Sequence, residues 1–212
     1  MRWRPVLGAT HALGGLLAAE GLIYLKHFPL NEAPLVLGAS VFGALLPDID
    51  HPGSVLGRRA PVVSDAVGLV FGHRGFTHSL VFAALVVSLL AFLRGPYVPW
   101  LPPSAVYALA AGILSHLIFD MLNPSPVPLL WPLPKEFRLP LPGIPTGSFF
   151  ETVFRLAVSA AAVFLFPAAV PVKQLLALPN LSAAEAVRQG LSFAGEVVRI
   201  IGESLKQLAG KF

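Results

Sequence analysis

The chain has 212 residues, of which 55% are hydrophobic and only 12% are charged, and its mean hydropathy is +0.74. This composition excludes an ordinary soluble domain and is typical of an integral membrane protein. The net charge of +4 forms no basic stripe, which argues against direct nucleic-acid binding, and the absence of cysteine leaves imidazole and carboxylate groups as the metal ligands.

Five apolar runs follow one another along the chain and predict about five transmembrane helices. They cover residues 6–25, 33–46, 78–93, 104–122 and 152–172. The second run is too short to cross a hydrocarbon core of ~30 Å at ~1.5 Å per residue, so the residues after it are predicted to be recessed below the membrane surface. The predicted fold is all-α, a polytopic membrane helix bundle.

Two loops and a tail complete the predicted organisation. The polar loop 47–77 contains a weakly apolar stretch, 62–72, that fits the membrane interface, and the loop 123–148 is so rich in proline that an extended backbone is predicted. Residues 1–172 are therefore assigned to a transmembrane domain. In the remaining residues, 173–212, apolar positions recur at helical spacing from Ser182 onward and predict a C-terminal amphipathic helix that lies on the membrane or packs against the bundle.

Basic residues set the predicted orientation. Most of those near the ends of the runs fall on one side of the threaded membrane: Arg2, Arg4, Arg58, Arg59, Arg74, Lys135 and Arg138. The positive-inside rule then places the N-terminus and both loops in the cytoplasm, which predicts a multi-pass protein of the cell inner membrane.

Six polar residues stand out against this apolar background because ionisable groups in membrane segments are costly and usually functional. Most of them lie at or near the ends of the apolar runs, and the threading brings all six towards the cytoplasmic leaflet. They are His11, Asp48, His73, His78, His116 and Asp120. The sequence therefore predicts a metal site that faces the cytoplasmic leaflet.

The chemistry of the set favours one or two divalent ions, with zinc the first choice and manganese or iron as alternatives. His116 and Asp120 are four residues apart and share one helical face. Asp50 adds a further ligand or a general base for a metal-bound water. Because these ligands exceed the needs of one tetrahedral site, a two-metal site is the natural inference. Arg74 is predicted to hold a phosphate, and Thr77 to help orient it and to cap the third helix.

Three further polar residues are weighed against structural roles. Glu151 and Arg155 are four residues apart and form most simply an ion pair, with support of the metal site as the alternative for Glu151. Glu20 lies nine residues from His11 and on the other side of the first helix, and its role stays open. His51 is interpreted as a surface residue or as support for the ligands.

The segments that carry these residues resemble the motifs of the YdjM family. They are Thr10-His11, Leu46-Pro47-Asp48-Ile49-Asp50-His51, His73-Arg74-Gly75-Phe76-Thr77-His78-Ser79, and Ser115-His116 with Asp120. The resemblance covers roughly the first two-thirds of the chain and implies an inner-membrane-associated, metal-dependent hydrolase, with LexA binding as a further label. Ser125-Pro126 departs from the aromatic-glycine pair that is common at this place in the family.

These observations together predict a membrane-embedded metal-dependent hydrolase that cleaves a phosphoester of a lipid or lipid-linked substrate through metal-activated water. Membrane lipid is the expected partner. The alternative is a non-catalytic protein that uses the metal for stability and binds a cytoplasmic regulatory partner. A metal transporter is disfavoured because its polar residues should extend through the full depth of the membrane.

Overall fold

The computed structural model of the chain describes residues 6–26, 28–146 and 148–170, and all regular secondary structure within them is helical. This confirms the all-α prediction. The helices are α1 (Val6–Lys26), α2 (Ala33–Leu45), α3 (Pro61–Phe71), α4 (Leu80–Arg94), α5 (Pro103–Asp120) and α6 (Phe149–Ala169). The predicted amphipathic helix of the tail lies outside the described residues.

Three helical segments of the described chain are long and apolar enough to cross a membrane, so the predicted count of about five spans is not confirmed. They are Leu30–Asp50, Pro103–Asp120 and Phe149–Ala169. The first corrects the sequence analysis, which counted the second run as too short. Turns of 3₁₀ helix at Leu30–Glu32 and Pro47–Asp50 flank α2 and extend it to 21 residues. The helices α3 and α4 are apolar but shorter.

The core of the bundle is a seam of close backbone contacts between α5, α2 and α1. A methyl group added to Gly112 of α5 would lie 1.9 Å from the carbonyl oxygen of Ser40, and one added to Gly43 of α2 would lie 2.4 Å from that of Leu109. Gly15 of α1 meets Ala44 of α2 in the same way. Small residues allow such close approach of membrane helices. We call this interface the glycine seam.

The outer helices have the opposite character. Only 17% of the α6 span is buried inside the protein, against 61% of the α5 span, and large side chains such as Phe164 point outward. Leu89 and Phe92 do the same on α4. Large apolar side chains gain nothing from contact with water, so their outward direction is typical of lipid-facing residues.

The start of α4 differs from the sequence prediction. The helix begins at Leu80, and Ser79 is its N-cap, with a side chain that accepts a hydrogen bond from the Phe82 amide. Thr77 lies in the preceding 3₁₀ turn, Phe76–His78, so it does not cap the helix. This turn brings His78 down against the ends of α2 and α5.

Candidate metal centre

Four elements meet at one end of the bundle and bring the predicted ligands together. His11 lies near the start of α1, Asp48 and Asp50 lie in the turn after α2, His78 lies in the turn before α4, and the last residue of α5 contributes Asp120. His78, Asp120 and Asp50 are almost fully buried. The structure thus gathers imidazoles and carboxylates that are far apart in the sequence.

Four side-chain atoms form a compact group, which we call the ligand quartet: Asp48 Oδ1, His78 Nε2, His116 Nε2 and Asp120 Oδ2. His78 Nε2 lies 3.3 Å from both His116 Nε2 and Asp120 Oδ2, and His116 Nε2 lies 3.6 Å from Asp120 Oδ2. Asp48 Oδ1 lies 3.7 Å from His78 and 3.9 Å from His116. Ligands at ~2.1 Å from a tetrahedral zinc ion are ~3.4 Å apart, so these five separations suit such an ion.

The hydrogen bond on the far side of His116 fixes which of its nitrogens is available. Nδ1 lies 2.7 Å from the carbonyl oxygen of Ala44. A carbonyl oxygen can only accept, so Nδ1 carries the proton and donates it, and the Nε2 of the neutral ring presents a lone pair to the quartet. Histidine ligands of metal ions are usually oriented in this manner.

A second chain of hydrogen bonds orients His78. The Thr77 hydroxyl donates to Asp50 Oδ2 over 2.8 Å, so its oxygen is left to accept from His78 Nδ1 at 3.0 Å. The His78 ring therefore also presents Nε2 to the quartet. Thr77 is 1% exposed, and its hydroxyl is engaged behind His78, so it orients this ring instead of contacting a phosphate as the sequence suggested.

Asp50 is a hub of hydrogen bonds and lies behind the quartet. Besides Thr77, its carboxylate accepts from the Arg74 amide at 2.9 Å and lies 3.1 Å from His73 Nδ1. Neither Asp50 nor His73 belongs to the groups of described residues whose atoms are close enough to share an ion. The sequence treated both as ligands, whereas the geometry has them hold the turns that carry Arg74 and His78.

His11 and the second oxygen of Asp120 lie beside the quartet. His11 Nε2 is 3.4 Å from Asp120 Oδ1, and the His11 ring stacks on the His116 ring with 3.8 Å between centroids. His11, His116 and Asp120 form a second possible ligand group, but it uses His116 as well. Because Nδ1 of His116 is bonded to Ala44, its Nε2 can serve only one ion.

Two buried atoms at this centre lack a hydrogen bond within the described part of the chain. They are Asp120 Oδ2 and His11 Nδ1. Asp120 Oδ2 has two imidazole nitrogens within 3.6 Å, yet neither is aligned to donate to it. A buried carboxylate oxygen without a donor is costly, and a cation among the converging lone pairs would remove the cost. The residues present therefore fit a metal ion.

The carboxylates also act on the protonation of His78, which lies outside the membrane-spanning segments. Burial alone lowers the pKa of His78, but the nearby carboxylates of Asp48 and Asp50 and the charge of Asp120 outweigh it and raise the pKa to about 9. A proton therefore neutralises part of the acidic charge when no ion is bound. Metal binding would have to displace that proton.

A pocket of about 420 Å³ adjoins the quartet. Asp48, Asp120 and His11 line it together with Arg58 and Arg74. The Arg74 guanidinium is 3.5 Å from Asp120 Oδ1. Arg74 has a backbone φ of 60°, a left-handed conformation that costs energy for a residue with a side chain. The hydrogen bond from the Arg74 amide to Asp50 holds the backbone in this conformation.

Two contributors were missed or left open by the sequence analysis. The Asn123 amide donates to Asp120 Oδ1 over 3.0 Å, and its position three residues after Asp120 was the available signal. The Glu151 carboxylate accepts from the Thr10 hydroxyl over 3.0 Å and so ties α6 to the residue next to His11.

His51 lines the pocket and accepts from the Gly53 amide over 2.9 Å. Glu20 is 1% exposed, and its carboxylate oxygens have no hydrogen-bond partner within the described residues.

The fold and this centre define an all-helical membrane protein with a buried histidine–aspartate cluster. The family described as YdjM inner membrane protein matches residues 6–185. The chain belongs to this family.

Three relatives extend the comparison. Inner membrane protein YdjM of Escherichia coli (strain K12) is 40% identical over 132 residues, which make up 61% of this chain and 66% of that protein. YvsG of Bacillus subtilis (strain 168) is 38% identical over 160 residues, or 75% of this chain and 93% of that protein. Inner membrane protein YbcI of Escherichia coli (strain K12) is 38% identical over 108 residues, or 49% and 57%. No solved structure matches the chain.

Proposed function

We propose that this protein is a membrane-embedded, metal-dependent hydrolase that cleaves a phosphoester of a lipid or lipid-linked substrate. The observation that carries the proposal is the close approach of Asp48, His78, His116 and Asp120, two of which, Asp48 and Asp120, line a pocket together with Arg58 and Arg74. Imidazole and carboxylate ligands favour zinc, with manganese or iron as alternatives. The guanidinium groups favour a phosphate, because Arg binds phosphate through paired hydrogen bonds.

One ion fits the geometry better than two. Both possible ligand groups require His116, which has a single nitrogen to offer. The oxygen of Asp120 outside the quartet accepts from Asn123 and lies near the Arg74 guanidinium, so it faces positive charge and N–H groups and not a second cation. We therefore assign Asp48, His78, His116 and Asp120 to one ion, with His11 as a fifth ligand.

A divalent ion in the quartet would act as a Lewis acid on the phosphoester and lower the pKa of the attacking water. The protein groups around it would supply orientation. Arg74 and Arg58 would bind the phosphate oxygens from the pocket walls. Asp50 and Thr77 would hold His78 in the orientation that keeps its Nε2 towards the quartet, which is a positioning role. Asn123 would hold the Asp120 carboxylate in place.

We further propose that the pocket faces the cytoplasmic side of the inner membrane and receives its substrate from the lipid. The arginines at positions 58, 59 and 74 support this orientation under the positive-inside rule. Residues Pro124, Ser125 and Pro145 of the proline-rich loop line the pocket, which supports a role of this loop in covering the site.

The test is hydrolysis of phospholipids and lipid-linked phosphates by the full-length protein in nanodiscs, after metal removal and reloading with zinc, manganese or iron. We expect headgroup or phosphate release with one ion per chain, and no release by Arg74→Gln, which keeps the quartet. Protein that binds one ion but leaves a broad panel of phosphoesters intact would contradict the hydrolase. That result would favour the alternative, a protein that uses the metal for stability and binds a cytoplasmic regulatory partner.

A further inference from the structure

The helix α3 has an unusual distribution of side chains. Its buried residue is Ser64, whereas Val62, Leu69 and Val70 are 80%, 88% and 70% exposed. A surface helix of a soluble protein buries its large apolar side chains and exposes its polar ones. In α3, Ser64 and Gly68 face the protein, whereas most of the large apolar residues face outward with Asp65 and Ala66.

The inner face of α3 packs on the backbone that carries the metal ligands. A methyl group on Gly68 would lie 2.9 Å from the Asp50 carbonyl oxygen, so α3 and the turn Pro47–Asp50 are in close contact. The small side chains of α3 make this contact possible. Whatever covers the outer face of α3 therefore also supports the turn that holds Asp48 and Asp50.

The two ends of α3 carry residues typical of a membrane interface. Arg58 and Arg59 precede it and are exposed, and Arg58 also lines the pocket. At the other end, Phe71 lies against Phe76 and Trp131, with ring centroids 4.8 Å and 6.0 Å apart. Arginines attract anionic headgroups, and tryptophan is enriched where headgroups meet acyl chains.

The length of α3 limits how it can lie. Eleven residues at ~1.5 Å each give ~16 Å, about half of the hydrocarbon thickness, so the helix cannot cross the membrane. An amphipathic helix of this kind lies in the interface with its apolar face buried among the acyl chains. The neighbouring spans place a bilayer next to it, so lipid is the occupant at hand.

We propose that α3 is an interfacial helix seated in lipid, and that it sets the mouth of the pocket at the level of anionic phospholipid headgroups. Val62, Leu69 and Val70 would contact acyl chains, and Arg58 and Arg59 would contact headgroup phosphates. The outer face of α3, with Arg58 and Arg59, would give the pocket access to a lipid substrate. This part of the inference rests on the proposed function, whereas the lipid contact itself does not require hydrolysis.

The absence of cysteine from the chain permits a direct test with single-cysteine variants. Leu69→Cys probes α3, Ser125→Cys probes the exposed rim of the pocket, and Phe164→Cys is the matched reference on the lipid face of α6. Each full-length variant carries a bimane label in anionic vesicles whose lipids are brominated either near the headgroup or near the chain end. All three positions are exposed, so the fold should tolerate them.

We expect bromine near the headgroup to quench the label at position 69 by at least half, and the label at position 125 less strongly. Chain-end bromine should quench position 164 more strongly than position 69, because α3 lies shallow. Quenching of position 69 by aqueous iodide but not by brominated lipid would overturn the proposal. If neither quencher affects the label at position 69, and labels on two copies of the chain interact with each other, the proposal is overturned in favour of a second copy that covers α3. Lipid quenching at position 69 with intact phosphoesters would contradict only the hydrolase.

Discussion

The glycine seam and the outer surface of α6 are both apolar, yet they are built from different residues. In the seam, Gly43 and Gly112 let backbones approach so closely that a single methyl group has no room. On α6, large residues such as Phe164 stand outward with nothing of the described protein over them. Lipid tails are as apolar as a protein core, so large side chains gain little by packing inward, and close backbone contact holds the helices together.

The difference also explains where the metal centre lies. His116 follows Gly112 on α5 and bonds to the carbonyl oxygen of Ala44, one residue after Gly43. The short distance between α2 and α5 at the seam makes that bond possible. The outer helices contribute to the centre through the turns that precede them, such as the one that carries His78.

Gly112→Ala should have the largest effect, because it forces the seam apart. The added methyl group would lie 1.9 Å from the Ser40 carbonyl oxygen and 2.8 Å from the Ala44 amide, and neither backbone atom can move as a side chain would. Overpacking usually costs ~1–3 kcal/mol, and we expect more here, with loss of metal binding because the bond from His116 to Ala44 breaks. Thermal unfolding in nanodiscs and the metal content of the purified protein measure both effects.

Gly38→Ala is the matched control. Gly38 also lies in α2, but no atom lies within 4 Å of its added methyl group. Alanine favours a helix over glycine by up to ~1 kcal/mol, so this variant should keep or slightly raise the unfolding temperature. If both alanines behave alike, the seam does not depend on close backbone contact.

His116→Ala should abolish high-affinity metal binding while the seam stays closed. The variant removes the one nitrogen that both possible ligand groups share, so we expect the metal affinity to fall more than ~100-fold. Competition with a fluorescent chelator measures it, and His51→Ala is the control, since His51 lines the pocket outside these groups. Retention of one tightly bound ion by His116→Ala would refute the ligand quartet.

Asp50→Asn should weaken the metal centre by a smaller amount. An amide at this position keeps one acceptor oxygen, so it cannot accept from Thr77, the Arg74 amide and His73 as the carboxylate does. Loss of such supporting bonds typically lowers metal affinity ~10–100-fold, and we expect that range here. The control is Asp65→Asn, because Asp65 is exposed and belongs to neither possible ligand group. A complete loss of metal would instead indicate that Asp50 is a ligand, as the sequence suggested.

Composition and spacing were sufficient to predict the helical fold and to single out histidines and aspartates that lie close together, because a polar side chain in an apolar run has few structural roles. Separating ligands from supporting residues needed coordinates. Asp48 and Asp50 are two residues apart in the same short turn, so their spacing does not distinguish them. The backbone of the turn places Asp48 in the quartet and Asp50 beside Thr77. The length of the second span was also beyond the sequence pattern, because the 3₁₀ turns that lengthen α2 are not apolar runs.

Thr10→Val should have the smallest effect, and it tests whether an outer helix is fastened to the seam by a polar contact. The Thr10 hydroxyl donates to Glu151 at the start of α6, and both side chains are buried. Valine keeps the shape of threonine but removes the donor, so we expect a loss of ~1–3 kcal/mol in the free energy of unfolding, with metal affinity little changed. Thr152→Val is the control, because its hydroxyl is exposed and donates to the Ser148 carbonyl oxygen of its own helix end. An equal effect of the two valines would mean that the Thr10–Glu151 hydrogen bond does not fasten α6, and that this helix relies on its packing against α1 and on lipid.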